Sequence, residues 1–480
     1  MAPTRFEEAR ALHHAGELER AAALYRAAID EDPGDFRSRH NLGAVLESLG
    51  DAAGAEAAYS AALATGPDAA WTHYNLARLR HLAGRLDEAE AGYRLALERE
   101  PELVEAHFNL GRLLLERGDA GGAEAALRER LRRGGEDAGT ESYLGDALFA
   151  QQRLPEALEA YRRTAAIDPE DAAAHYDVGK ALEQLKRLDE AVGCYRRCVA
   201  LDPFGEAPRE GLARALLAAG HRDEAVASLR EWSSVAPGNP VAAHLLASLG
   251  AGEVPDRASD AYVRRTFDRF AADFDATLAR LDYRAPQMIA AAAALACGAP
   301  AGALDVLDLG CGTGLCAPIL RPWARRLEGV DLSAAMLERA RRRGGYDALH
   351  EAEITRFLGE YRSSWDLIAS ADTLCYFGSL EPVLRAAAGA LRAGGVLAYT
   401  LERLAAAGGG PGPAGAAARA RPGGEHGGYA LQAHGRYAHE EGHVRAVMEA
   451  AGFATTVIHG ALRSEGGQTV EGMLIVGKLA

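Results

Sequence analysis

Small and apolar positions recur along the first half of the chain with a period of 34 residues. Ala21, Ala55, Ala89, Ala123, Ala157, Ala191 and Ala225 keep step, as do Tyr25, Tyr59, Tyr93, Tyr161 and Tyr195. Pro33, Pro67, Pro101, Pro169, Pro203 and Pro237 follow the same comb, with Gly135 in the one vacant place. This pattern predicts a helix pair per repeat. The alanine lets two helices approach and the tyrosine packs between them. The proline stands after the second helix, because a helix interior tolerates neither its ring nor its missing N–H. Seven pairs fit between residues 2 and 239, and residues 241–249 read as a closing helix. One pair cannot bury its apolar face alone, so the pairs must stack into a solenoid. The fourth repeat, with Arg130 and Gly135 at apolar and proline positions, is expected to bend locally.

The pattern changes in the second half. Short apolar runs at 306–309, 329–331, 348–354, 365–372, 391–399, 453–458 and 473–477 alternate with segments of helical period, the last helix falling at 440–451. Strand and helix in alternation predict a doubly wound, mainly parallel sheet. The first strand runs into Asp308-Leu-Gly310-Cys-Gly312-Thr-Gly314, and Asp331 ends the second strand. Glycines at such a turn let the backbone approach a nucleoside, and an acid about 20 residues on can accept hydrogen bonds from ribose hydroxyls. A dinucleotide enzyme is one reading of a glycine motif.

The spelling of this one, with Asp308 on the strand and a helix starting at once, resembles the S-adenosylmethionine site of class I methyltransferases, and the 34-residue period is that of tetratricopeptide repeats. Together with FDRFAADFD, LDYRAP and GRYAHEEGHVRAVMEAAGF, they resemble the bacterial TPR-containing predicted methyltransferases over nearly the whole chain. The resemblance implies a two-domain α plus α/β protein, with an all-α tetratricopeptide solenoid over 1–250, a linker over 251–261 and a Rossmann-like methyltransferase domain over 262–480. It implies S-adenosylmethionine as cofactor, held by Asp308, Gly310, Cys311, Gly312 and Gly314 at the first turn and by Asp331, Leu332 and Met336 at the second, where Ser333 is the expected N-cap. Glu353 and Ile354 would lie beside the adenine, Glu353 replacing the usual Asp with one more methylene. In look-alikes, an aromatic segment such as the one carrying Phe267, Phe270 and Phe274 forms part of a lid; it could equally be a packing helix.

The chemistry implied is in-line displacement at a sulfonium methyl, for which the protein supplies alignment and a base. His439, Tyr437 and Asp372 are the candidate catalytic residues, and His439 could instead cap the helix that follows. The Asn-Pro-Pro-Tyr type motif of some amino-group methyltransferases is absent, which disfavours adenine and glutamine amide acceptors and leaves a hydroxyl, a carboxylate or another amine. The acceptor is a small molecule or a protein. An interaction scaffold that binds cofactor without turnover is the alternative, and the intact motif argues against it.

Within the repeats, Asn41, Asn75 and Asn109 share a helix face with Arg78, Arg112 and Lys180. In this family that face lines a groove, where such side chains can grip a peptide partner; the other reading is a solvated face. Residues 1–250 carry a net charge of −13 and residues 251–480 of −2, so neither half has the basic surface that nucleic acid requires. Three lysines against fifty arginines reflect GC-rich coding. No apolar run is long enough to span a bilayer, the first residues carry acids and no apolar signal core, and six scattered cysteines suit a cytoplasmic setting. Cys194 and Cys198 share a helix face without a partner pair, so packing and no metal is expected. Residues 405–428, nearly all Ala, Gly and Pro, read as a surface insertion.

Overall fold

The computed structural model describes residues 3–66, 69–404, 427–465 and 468–480. Pro67 and residues 405–426 of the expected insertion lie outside them. The chain divides into two compact units, Met1–His221 and Arg222–Ala480.

The first unit is built of the predicted helix pairs: Arg5–His14 with Leu18–Glu31, Phe36–Ser48 with Ala52–Thr65, Ala70–Leu82 with Leu86–Arg99, Val104–Glu116 with Ala120–Gly134, Ala138–Ala150 with Leu154–Ile167, and Ala172–Gln184 with Leu188–Leu201; Glu206–Ala218 follows. The five periodic tyrosines are fully buried between helices. Small residues make room for the rings: a Cβ added at Gly43 would stand 2.6 Å from Tyr59, and one at Gly179 2.7 Å from Tyr195. At the fourth repeat, Gly135 takes the left-handed conformation (φ 76°) directly after its helix. That is a helix stop of a different kind from proline, and the Arg130 guanidinium donates to the Gly135 carbonyl at 2.9 Å.

The second unit opens with helices Arg222–Val235 and Pro240–Ser248, which the 34-residue period assigns to the solenoid. The second of these helices is tied to the segment that follows it. His244 stacks on Tyr262 with ring centroids 3.9 Å apart, and its Nε2 donates to the Gly435 carbonyl at 2.8 Å. A fragment of residues 255–480, which lacks this ring and bond, is expected to melt several degrees below one of residues 222–480, as differential scanning calorimetry would show.

Among the described residues nine strands form one sheet: β1 Leu304–Leu309, β2 Ala324–Asp331, β3 Ala348–Glu351, β4 Trp365–Ser370, β5 Leu391–Arg403, β6 Tyr429–Leu431, β7 Tyr437–His439, β8 Phe453–Glu465 and β9 Gln468–Leu479. Strands run parallel in the order β3-β2-β1-β4-β5. Beyond them β9 lies antiparallel to both β5 and β8. The expected third strand stops at Glu351, and Ile354 instead opens helix Ile354–Gly359. The β6–β7 hairpin is an addition to the expected strands: β7 pairs with the last two residues of β5, Glu402 and Arg403. Trp365, Ile368, Tyr399 and Ile475 pack into the core on one face of the sheet. Val306, Leu367 and Ala398 on the other face pack with Ile289 of helix Ala285–Cys297. With both faces covered, the open ground is at the carboxyl ends of β1, β2, β4 and β5, where an open α/β sheet gathers its ligand-binding loops. No helix among the described residues is long and apolar enough to cross a membrane.

Candidate active site

The loop after β1 carries Gly310, Gly312 and Gly314 at φ of 68°, 53° and 85°, the left-handed region that favours glycine. At Gly310 space compels glycine as well, because an added Cβ would collide with the Thr373 side chain. Asp308 lies buried beneath the loop and accepts from the Tyr346 hydroxyl at 2.6 Å; burial pushes its carboxyl up to about 7. Burial also drives the thiol of Cys311 far above its usual range. Asp331 ends β2 with Oδ2 accepting from the Gly312 amide at 2.9 Å and Oδ1 from the Ser333 amide at 2.8 Å. Burial raises its pKa against these bonds. Ser333 caps the next helix through the Met336 amide at 3.2 Å, as its position in the sequence predicts. Leu332 is half-buried and Met336 buried. Glu353 and Ile354 are buried too, but both Glu353 oxygens accept from the amides of Thr355 and Arg356, at 3.0 and 2.8 Å. That carboxylate caps its own helix.

The aromatic segment forms helices Asp260–Phe270 and Phe274–Arg280, the second of which meets the glycine loop at Thr313. Asp275 accepts from Thr313 Oγ1 at 2.5 Å and pairs with Arg343, while Asp268 accepts from Ser333 Oγ at 2.5 Å. Phe267 meets Tyr376 edge-on at 5.5 Å, and Phe270 meets Phe274 at 5.6 Å.

The three catalytic candidates occupy different environments. His439 ends β7 with no exposed surface, and its Nε2 donates to the Gly378 carbonyl at 3.1 Å. Burial lowers its pKa to about 4. Nor does it cap a helix: Glu440 holds the N-cap of Glu441–Ala450, and His439 instead pairs with Arg403 and Tyr429 in the sheet. Tyr437 is buried with its hydroxyl donating to the Pro255 carbonyl at 2.7 Å. Asp372, two residues past β4, has φ 55° and donates its amide to Thr400 Oγ1 at 2.8 Å. Its Oδ2 accepts from Arg463 at 2.8 Å, whereas its Oδ1 is buried without a partner among the described residues. Burial raises the carboxyl to about 7 against the opposing pull of Arg436, with Glu402 and Glu465 adding to the rise. Arg463 is itself buried and is gripped by Glu402 and, at 2.5 Å, by Glu465. Arg436 reaches the same two glutamates at 3.2 and 3.1 Å. Tyr283 lies in the field of Asp372, Cys316 and Arg436, and burial sends its hydroxyl far above its ordinary range.

In the repeat unit the predicted groove residues separate. Arg78 pairs with Glu47 at 2.5 Å and Lys180 with Asp177 at 2.9 Å. Asn109 donates to the Tyr74 hydroxyl at 2.9 Å. Asn75 hydrogen-bonds Tyr59, whereas Asn41 lies by Tyr25, whose buried hydroxyl has no hydrogen-bond partner among the described residues. Arg112 makes no ion pair among the described residues; its guanidinium lies over Phe108 and Tyr143, 5.8 and 5.5 Å from the ring centroids. It lines a cavity of about 340 Å³ with His81, Leu115, Glu116, Tyr143 and Asp146.

Residues 307–399 match the family described as methyltransferase domain, and residues 12–72, 70–91, 104–129, 144–206 and 207–231 match tetratricopeptide repeat families. The chain joins tetratricopeptide repeats to a methyltransferase domain. It is 40% identical over 97 residues to human methyltransferase-like protein 27, a match covering 20% of this chain and 38% of that one. To the malonyl-[acyl-carrier protein] O-methyltransferase of Acetivibrio thermocellus it is 32% identical over 99 residues, covering 20% and 35%. The chain thus spans little more than a third of the length of the curated relatives it matches. Among solved structures, YrrB, a TPR protein with an unusual peptide-binding site, is 22% identical with a TM-score of 0.36, covering 39% of this chain and 96% of that one.

In the methyltransferase domain, sequence reasoning missed Tyr346, Asp268, Asp275, Glu402, Arg463 and Glu465. Two of them left a trace, since Glu402 and Arg463 are charged residues that interrupt long strands, β5 and β8. The others meet their partners only through the fold. A nucleoside with a sulfonium chain fits what is present: a glycine cradle that side chains would fill, and an acid already oriented at the end of β2.

Proposed function

We propose that this protein is an S-adenosylmethionine-dependent methyltransferase whose repeats recruit a protein partner or substrate. The observation that carries the reading is the joining of the glycine loop to Asp331 through the Gly312 amide, which fixes a carboxylate beside a backbone cradle. Asp308, Gly310, Cys311, Gly312, Gly314, Asp331, Leu332 and Met336 hold the cofactor, with Ile354 at the adenine end and Glu353 supporting that end through its helix cap. When bound, the sulfonium supplies an electrophilic methyl group. The chain's own part is to align the acceptor, keep water out and take a proton. Asp372 suits the last of these roles. It stands where β4 meets the glycine loop, through Thr373 and Gly310, with one oxygen held by Arg463 and the other unpartnered among the described residues. His439 and Tyr437 are committed to backbone carbonyls and serve to fix the hairpin. Calorimetry on the full chain tests the cofactor. Binding is expected, and Asp331→Ala should weaken it by about 1.5 to 3 kcal/mol through lost charged hydrogen bonds. An unchanged affinity would assign the ribose to another acid.

On the repeat side, Arg112 is the groove cation left for a partner's carboxylate, with Phe108 and Tyr143 as an apolar floor. Arg112→Ala is expected to weaken capture of an acidic peptide partner by about tenfold or more, because hydrogen bonds to charged groups contribute about 1.5–3 kcal/mol. Arg78→Ala should change it little, Arg78 being satisfied by Glu47. Equal effects of the two would refute the assignment.

A further inference from the structure

A polar cluster lies at the carboxyl ends of β4 and β5. Around Asp372 stand Glu402 and Glu465, met by Arg436 and Arg463 and, at Glu402, by His434 at 3.3 Å. Arg463 is fully engaged, with a different carboxylate on each of its three nitrogens. Asp372 keeps an Oδ1 that is buried and unpartnered among the described residues. A buried carboxylate oxygen with no donor is a costly feature, which a ligand carrying N–H groups would relieve. Tyr283 shares the field of Asp372. A carboxylate holds an ammonium more tightly than a neutral hydroxyl, because the hydrogen bond is charge-assisted. A second carboxylate would instead meet Asp372, Glu402 and Glu465 at close range.

We infer that the methyl acceptor is an amine, bound as an ammonium against Asp372 Oδ1, and that carboxylate acceptors are excluded. This rests on the methyltransferase reading above and gives it a substrate class. In the reaction Asp372 takes one proton from the ammonium. The freed nitrogen lone pair then forms the N–C bond as the methyl–sulfur bond breaks, its electron pair staying on sulfur as a neutral thioether. The product is an N-methylammonium ion, and the proton on Asp372 passes to water.

The chemistry of the transferred methyl group tests this even while the acceptor is unidentified. The full-length protein is incubated with methyl-labelled S-adenosylmethionine and a lysate of source cells lacking its gene, with the Asp331→Ala variant as background. Methyl esters release their label as volatile methanol in alkali, and methyl ethers release theirs in hot hydriodic acid. N-methyl groups survive both. The expected result is label retained through both treatments. Independently of turnover, butylamine, butanol and butyrate are compared by saturation-transfer NMR on the cofactor-free protein. Butylamine should be the one saturated, and Asp372→Asn should abolish its signal. Label volatilised by either treatment, or butyrate saturated as strongly as butylamine, overturns the inference. Failure to bind S-adenosylmethionine in calorimetry, or binding without any transfer of label, would instead overturn the methyltransferase reading on which it rests.

Discussion

Replacing Asp372 by Asn should lower methyl transfer by about 10²- to 10⁴-fold, the range of a general base, and leave cofactor affinity unchanged. Asn is close to isosteric and accepts the left-handed backbone at this position (φ 55°), so the fold should tolerate it. The pH profile separates Asp372 from His439. A base must be deprotonated, so a rate governed by Asp372 should rise with pH through about 7 and then level off. One governed by His439 would already be level above about 4. Burial sets the Asp372 limb first, opposed by Arg436 and with Glu402 and Glu465 adding to the rise; Arg463, Tyr283 and Cys375 are its other charged and titratable neighbours. Asp372→Asn should remove the limb near 7 from whatever rate remains, and a persistent limb would point to another base.

The second large effect is on stability. Arg463→Ala leaves Asp372, Glu402 and Glu465 with Arg436 as their remaining guanidinium. Removing one member of a buried ionic group is destabilising by about 3–5 kcal/mol, because the charges left behind are uncompensated. Urea unfolding of the full chain should show this loss in the transition of the methyltransferase domain and leave that of the repeats in place. A loss below about 1 kcal/mol would mean that water reaches the cluster and replaces the guanidinium.

The period of 34 and the DxGxGxG spelling make much of the architecture legible, since each depends on local chemistry: an alanine at a helix contact, or a glycine where φ is positive. Ser333 is legible for the same reason, as an N-cap is decided within three residues. Glu353 is harder, because an acid at the end of a strand looks the same whether it faces a ligand or caps the next helix. Hairpin strands of three residues, such as β6 and β7, are too short to show a period of two. His439 reads in sequence as part of a helix start because its strand partners, Arg403 and Tyr429, are not adjacent to it along the chain. The Asp372–Arg463 pair joins residues 91 apart, and no local pattern announces it.

Asp268 fastens one helix to Ser333 after β2, and Asp275 fastens the next to Thr313 of the glycine loop and to Arg343. The consequence is kinetic. Were these fastenings to gate the cradle, the observed rate of association would climb with cofactor concentration and then saturate at the rate of opening, whereas a rate that stays linear would make them packing contacts alone. Asp268→Ala and Asp275→Ala, by loosening the fastenings, should raise that plateau and quicken departure of the spent thioether, trading residence time for speed of exchange.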